Sequence, residues 1–216
     1  MPLPLFSLVG YTNAGKSTLF NSLTKSEVFV EDKLFATLDP TVRKLRLPSG
    51  RMILLADTVG FIRKLPHTLV EAFKSTFEEV AFADCLIHVV DTSDEDVFRQ
   101  IEVVEKVLQE LQLNHKPSIM IFNKKDRGKV HLNGHQGISA SALTGEGLDV
   151  LIQEMDQVLR AHLTRAHFLL PHDRGDILGN LYSLGHVLKV EHLPEGTDVE
   201  CEIDAKFVQK YHFVVA

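Results

Sequence analysis

Scarcity carries the first information in these 216 residues. There are only two cysteines, Cys85 and Cys201, 116 residues apart, and neither has neighbours at metal-ligand or redox-motif spacing. Each lies in an apolar, β-like stretch, which points to two buried small hydrophobes and no disulfide. No apolar run approaches the ~18 residues of a spanning helix; the runs are short, as at Cys85 to Val90, so no membrane span is expected. The start, Met1-Pro2-Leu3-Pro4-Leu5-Phe6, lacks a basic n-region and runs into a strand-like segment, so no secretory leader is expected and the expected compartment is the cytoplasm. Repeats and low-complexity tracts are absent. Positive charge is not in surplus either: 23 Lys+Arg against 29 Asp+Glu give −6, which argues against a chain that coats nucleic acid indiscriminately.

What is present is an ordinary globular composition, 44% hydrophobic and 24% charged, long enough for one full domain and a small appendage. From Leu5 to about Leu163, short apolar runs alternate with helix-period segments, the rhythm of a parallel sheet covered by helices. Leu5 to Val9 predicts a first buried strand, followed by a glycine-containing turn and a helix over Lys16 to Lys25. Val42 to Leu47 and Met52 to Ala56 predict two strands joined at Pro48-Ser49-Gly50. Cys85 to Val90 and Ser118 to Phe122 predict further buried strands. Between them Ile101, Val104, Leu108 and Leu111 mark one face of a helix over Asp94 to Asn114, and Leu148 to Leu163 predicts a last helix. Beyond it, Phe168 to Leu170 reads as a strand and Ile177, Leu181, Leu184 and Leu188 as a helical stripe. Lys189 to Leu193 and Val199 to Ile203 bracket a hairpin signal at Pro194-Glu195-Gly196-Thr197. The expected division is residues 1–163 and a small α+β domain at 164–216. The charge splits evenly, −3 on each side of that break.

Gly10-Tyr11-Thr12-Asn13-Ala14-Gly15-Lys16-Ser17 fits the G-x-x-x-x-G-K-[ST] pattern between a predicted strand and a predicted helix. Glycines let the backbone wrap close to phosphate at a helix N-terminus. The expected contacts come from Gly10, Asn13, Ala14, Gly15, Lys16, Ser17 and Thr18, with Lys16 reaching the β- and γ-phosphates and the Ser17 hydroxyl on Mg²⁺. Asp57-Thr58-Val59-Gly60 follows a predicted strand, forty-one residues after Lys16. There Asp57 can hold Mg²⁺ through water and the Gly60 N–H can meet the γ-phosphate.

Asn123-Lys124-Lys125-Asp126 closes the strand Ser118 to Phe122, at the ligand edge of a parallel sheet. One carboxylate there accepts from both N1–H and the exocyclic N2 amino group of guanine, donors that adenine lacks. Asp126 is therefore the expected guanine reader, with Lys124 along the ring and Asn123 bracing the phosphate loop and the base. Ser141-Ala142-Leu143-Thr144-Gly145 offers backbone to guanine O6, at Ala142 in this register, although Ser139-Ala140 repeats the same dipeptide.

Together these segments resemble a translation-factor-type GTP-binding protein. Gly10 through Asn21, Leu34-Phe35-Ala36-Thr37-Leu38-Asp39-Pro40-Thr41 and Asp57 through His67 closely resemble the HflX family of GTPases, within the Obg-HflX group. The resemblance implies an α/β P-loop GTPase domain, a mostly parallel sheet flanked by helices, with a small α+β C-terminal domain. It implies that Thr37, with Thr41 as the competitor, is the switch threonine completing the Mg²⁺ and γ-phosphate shell. The metal set is then Ser17, Thr37 and Asp57, and the hydrolytic set Lys16, Thr37, Gly60 and Asn13. In potassium-activated relatives an asparagine at the position of Asn13 helps hold K⁺ beside the β–γ bridge; a turn-forming asparagine is the alternative. The family is associated with large ribosomal subunits, RNA and protein, and with splitting stalled ribosomes. Its usual members carry an N-terminal domain before the G domain, which this chain is expected to lack.

After Gly60, where many small GTPases place a water-orienting glutamine, this chain has Phe61, so slow intrinsic hydrolysis is expected, completed by a partner, K⁺ or a rearranged switch. The alternative is a binding module that uses guanine nucleotide as a structural ligand with negligible turnover. His67 reads as a chance placement, and His131 with His135 lacks the ligands of a zinc site. Arg43, Lys44, Arg46, Arg51, Arg63 and Lys64 cluster by sequence near the switches, as an RNA-phosphate contact or a solvated strand face. A monomer is expected.

Overall fold

The structure, a computed structural model, describes residues 3–25, 41–60, 80–128, 134–160, 163–204 and 207–208. Two compact units emerge, one of residues 1–45 and 53–154, the other of 46–52 and 155–216.

The first unit is built on a six-stranded sheet. Its strands are β1 (Leu5–Gly10), β2 (Thr41–Arg46), β3 (Met52–Asp57), β4 (Cys85–Asp91), β5 (Ser118–Asn123) and β6 (Ile138–Ser139), in the order β2-β3-β1-β4-β5-β6. β1 pairs parallel with β3 and β4, β4 with β5, and β5 with β6. β4 is buried along its whole length and β1 along nearly all of it, which is why they read as unbroken apolar runs rather than alternations. β1 has β3 on one side and β4 on the other, so the strand order reverses there. At that reversal the loops leaving the carboxyl ends diverge and leave a crevice.

Helix α1 (Lys16–Thr24) leaves β1 and buries Leu19, Phe20 and Leu23. Helix α2 (Val97–Glu110) buries Val97, Ile101, Val104 and Leu108, the face its spacing predicts. It is shorter than expected at both ends. At its start Asp94 folds a turn, accepting the Asp96 N–H on its side chain and the Val97 N–H on its carbonyl. At its end Gln112 adopts φ +58°, with the Leu113 N–H on the Leu108 carbonyl and the Gln112 N–H on the Gln109 carbonyl. That is a Schellman stop made without glycine. Cys85 sits in β4, reduced and buried, its thiol pushed up to about 12, mainly by burial.

Helix α3 (Leu148–Arg160) ends sooner than expected, because Leu163 opens β7 (Leu163–Leu170) instead. β7, β8 (His186–Leu193) and β9 (Gly196–Asp204) form an antiparallel sheet in the order β7-β9-β8. Helix α4 (Gly175–Leu184) lies between β7 and β8 in the chain. Phe168, Leu170, Ile177, Leu181, Val199, Cys201 and Ile203 make the core of this unit, and burial pushes the Cys201 thiol up to about 11. The helical stripe assigned through Leu188 stops at Leu184. Gly185 returns its N–H to the Leu181 carbonyl, and Leu188 lies on β8 at a register shift. The predicted pairing around Pro194 to Thr197 is the β8–β9 hairpin. The architecture is thus a mostly parallel α/β sheet unit and a small α+β unit.

Candidate nucleotide site

The loop between β1 and α1 closes on itself. Lys16 Nζ donates to the carbonyls of Gly10 (3.2 Å) and Tyr11 (3.0 Å). The amine is buried, and burial lowers its pKa to about 8, partly opposed by the nearby carboxylate of Asp57. A phosphate reaching this loop would meet a cation that has already been stripped of water. Two glycines mark close approaches. A Cβ on Gly15, at φ +93°, would sit 2.3 Å from Asn123 Nδ2, and one on Gly60 would sit 2.7 Å from Thr12 Cα and 2.8 Å from Lys16 Nζ. Gly60 therefore lies against the loop between β1 and α1.

Asn123 ties three segments together. Its Nδ2 donates to the Ala14 carbonyl at 2.9 Å, and its Oδ1 accepts the Ala142 N–H at 2.9 Å. Lys124, at φ +61°, donates to the Asn13 carbonyl (2.9 Å) and pairs with Asp91 at 2.7 Å. Ser141 Oγ donates to Asp126 Oδ1 at 2.5 Å. That bond, ahead of the lesser effects of Arg127 and Lys124, holds the exposed Asp126 carboxyl below the usual carboxylate range. Gly15, Thr18, Asn123, Lys124, Asp126, Arg127, Ala142 and Leu143 line a cleft of about 90 Å³. Ser22 Oγ, on α1, donates to the Ala142 carbonyl at 2.6 Å and anchors the rim.

The chain matches the family model described as 50S ribosome-binding GTPase over residues 6–124 and the model described as HflX C-terminal domain over residues 129–211. The chain belongs to the HflX family of GTPases. It is 45% identical to the GTPase HflX of Caldanaerobacter subterraneus over 99% of its length, covering 50% of that protein. It is 49% identical to that of Magnetococcus marinus over 91% of its length, covering 46%, and 39% identical to that of Escherichia coli over 93%, covering 49%. It therefore spans about half the length of the curated relatives it matches. Among solved structures, a GTP-binding protein from Sulfolobus solfataricus in complex with GDP is similar, with TM-score 0.58 and 30% identity, covering 71% of this chain and 51% of its own. An Era variant from Aquifex aeolicus bound to GDP.AlF4- has TM-score 0.59 at 25% identity, covering 73% of this chain and 57% of its own.

Within this HflX-family chain the phosphate loop, Asp57, Gly60, Asn123 to Asp126 and Ser141 to Leu143 are all placed around the crevice at the strand ends or on its loops. Of the two Ser-Ala dipeptides, Ser139 is an exposed residue of β6, whereas Ser141 and Ala142 engage Asp126 and Asn123. The Ala142 N–H, expected on guanine O6, is donated to Asn123 here, so a base would have to share it. Leu143, 73% exposed beside it, presents an apolar side chain to the cleft. Asp57 is buried at the end of β3 and Ser17 at the start of α1. Both offer hard oxygen atoms only, the donor chemistry that suits Mg²⁺. Thr41 is the first residue of β2. Thr37, Phe61, Arg63, Lys64, His67 and His131 lie outside the described residues.

One expectation is corrected. Arg51 belongs to no exposed basic face: it is 8% exposed, and its guanidinium donates to the carbonyl and Oδ1 of Asp156, at 3.3 and 3.4 Å. Arg43, Lys44 and Arg46 are exposed. Sequence reasoning missed Asp91 and Arg127. Asp91 had a signal, a carboxylate ending an apolar strand as Asp57 does; Arg127 had none beyond adjacency. His135 packs its ring on Phe98, 6.1 Å between centroids, and no metal-type cluster occurs among the described residues. Nor is any described helix long and apolar enough to cross a membrane.

Proposed function

We propose that this chain is a Mg²⁺-dependent guanine-nucleotide switch that hydrolyses GTP to GDP and phosphate slowly on its own, and whose nucleotide state controls attachment to the large ribosomal subunit. The observation that carries this reading is the Asn123 clasp, by which the end of β5, three residues before Asp126, holds both the Ala14 carbonyl of the loop before α1 and the Ala142 N–H. Residues 1–163 would act as the GTP-binding domain and 164–216 as the C-terminal domain of a monomer in the cytoplasm.

The residues divide the work. Asp126 accepts the Ser141 hydroxyl on Oδ1 and keeps acceptor sites on both oxygens for the N1–H and N2 amino group of guanine, and Lys124 is held along the base by Asp91. Gly10, Asn13, Ala14, Gly15 and Thr18 frame the phosphates, while Lys16 compensates charge on the β–γ bridge. Ser17, Asp57 and Thr37 would hold Mg²⁺; Thr41 is committed to β2. Bound Mg²⁺ would neutralise charge developing on the phosphate oxygens. The Gly60 N–H would fix the γ-phosphate, and Asn13, at φ +60°, would help seat K⁺. Arg43, Lys44 and Arg46 supply a local basic stretch for ribosomal RNA in an otherwise acidic chain.

The test is GTP turnover with and without large ribosomal subunits, in K⁺ and in Na⁺. Stimulation by subunits supports the switch, and a K⁺ advantage lost in Asn13→Ala supports the cation role. Tight guanine binding with no turnover under any of these conditions would instead support a structural-ligand module, the reading that Phe61 favours.

A further inference from the structure

The phosphate loop carries a hydroxyl to which the roles above assign no work. Thr12 is 6% exposed, and its Oγ1 is buried with no hydrogen-bond partner. Its neighbours are engaged: Lys16 Nζ holds the carbonyls of Gly10 and Tyr11, Lys124 Nζ holds that of Asn13, and Thr58 Oγ1 donates to the Leu8 carbonyl. The carbonyls closest along the chain are therefore already taken by the two lysines. A buried hydroxyl left unsatisfied is unfavourable, and it persists where something else supplies the partner. Ser7 Oγ is also buried and unpartnered, but it lies inside β1, whereas Thr12 lies on the loop that would receive phosphate.

The place of Thr12 is fixed by Gly60. A Cβ on Gly60 would fall 2.7 Å from Thr12 Cα, 2.9 Å from Thr12 Cγ2 and 2.8 Å from Lys16 Nζ. Three groups thus meet at one point: the Lys16 amine, the glycine expected to hold the γ-phosphate, and the Cα and methyl carbon of Thr12, whose hydroxyl is borne on the same Cβ. The residue after Gly60 is Phe61, which has no polar atom with which to orient water. Branching at Cβ limits Thr12 to few rotamers, so few positions are open to its hydroxyl.

We propose that Thr12 is a catalytic residue of GTP hydrolysis, its hydroxyl accepting a hydrogen bond from the attacking water and donating its own hydrogen to a γ-phosphate oxygen. This rests on the reading of the chain as a GTPase. As the water oxygen bonds to the γ-phosphorus, the bond from phosphorus to the bridging oxygen breaks, and the bridging oxygen leaves with the electron pair as GDP. The water's hydrogens pass to phosphate and solvent. Thr12 neither gains nor loses a proton; it places the water.

The test compares single-turnover GTP hydrolysis with Mg²⁺, GDP affinity and thermal unfolding for the unaltered chain, Thr12→Val, Thr12→Ala and Thr12→Ser. Hydrolysis should fall at least about tenfold in Thr12→Val and Thr12→Ala, the scale of a lost hydrogen bond to a charged group, and stay within about threefold in Thr12→Ser. GDP affinity should move less than about twofold, because the proposed hydrogen bond goes to a γ-phosphate oxygen that GDP lacks. The ligand-free melting temperature of Thr12→Val should not fall, since no internal hydrogen bond is lost. Unchanged hydrolysis in Thr12→Val overturns the proposal. So does a loss in Thr12→Ser equal to that in Thr12→Val, which would make the methyl group responsible, and so does GDP affinity falling in step with the rate. Failure of the unaltered chain to bind GDP would overturn the GTPase reading itself, an outcome distinct from all of these.

Discussion

Asn123 and Ala14 are 109 residues apart in the chain, and the side-chain amide of one donates to the backbone carbonyl of the other at 2.9 Å. The same amide oxygen takes the Ala142 N–H. A single buried side chain thus sets the distance between the loop for phosphate and the loop for a base.

Removing it should disable both loops. In Asn123→Ala the Ala14 carbonyl and the Ala142 N–H lose their shared partner, at a cost of about 1–3 kcal/mol for each group that stays buried and unsatisfied. Equilibrium titration with a fluorescent GDP analogue should show affinity weakened by at least about tenfold. Unchanged affinity would mean that the loops hold their spacing without the clasp.

Lys16 makes nucleotide affinity depend on pH. Burial lowers its pKa to about 8 in the free chain, and an adjacent phosphate raises it, because an opposite charge favours the protonated form. Below pH 8 the amine is charged in both states and affinity is flat. Above pH 8 binding must take up a proton, so affinity falls with each further pH unit by up to about tenfold. Calorimetry of GDP binding in buffers of different ionisation heat should show proton uptake near pH 8.5 and almost none at pH 7. Equal uptake at both values would contradict this.

His88, buried in β4, gives stability a pH dependence. Burial, then the positive charges of Lys16 and His135, lower its pKa from 6.5 to about 4. The folded chain binds fewer protons there than the unfolded one between those values. Its contribution is complete above pH 6.5 and is lost as pH falls towards 4, on the order of 3 kcal/mol. Urea unfolding of the unaltered chain and of His88→Leu at pH 7 and pH 4.5 should show the smaller loss in the variant. An identical loss in both would remove His88 as a cause.

The phosphate loop and the Asn123 to Asp126 segment were legible because each is contiguous: its chemistry and its place between strand and helix sit within a few residues. The strands β1, β4 and β5 were legible as unbroken apolar runs. What the sequence concealed depended on distant partners. Arg51 looked like its basic neighbours until Asp156, 105 residues away, took its guanidinium into the interior. Asp91 gained its meaning only from Lys124, and the contacts that set Ser141-Ala142 apart from Ser139-Ala140 only from Asp126 and Asn123. Helix ends failed for a local reason of another kind. Gln112 takes the left-handed conformation that glycine usually marks, so no residue type announced the stop.

Whether these segments form one guanine site read by Asp126 is measured most directly by competition for a bound fluorescent GDP analogue by GDP, ADP and XDP. In the unaltered chain GDP should displace the analogue and ADP should fail at a thousandfold excess, on the order of the rejection set by unsatisfied polar groups. In Asp126→Asn the amide N–H faces the second carbonyl of xanthine, so preference should pass from GDP to XDP. Displacement by ADP as readily as by GDP, or an Asp126→Asn variant that keeps the preference for GDP, would contradict the account.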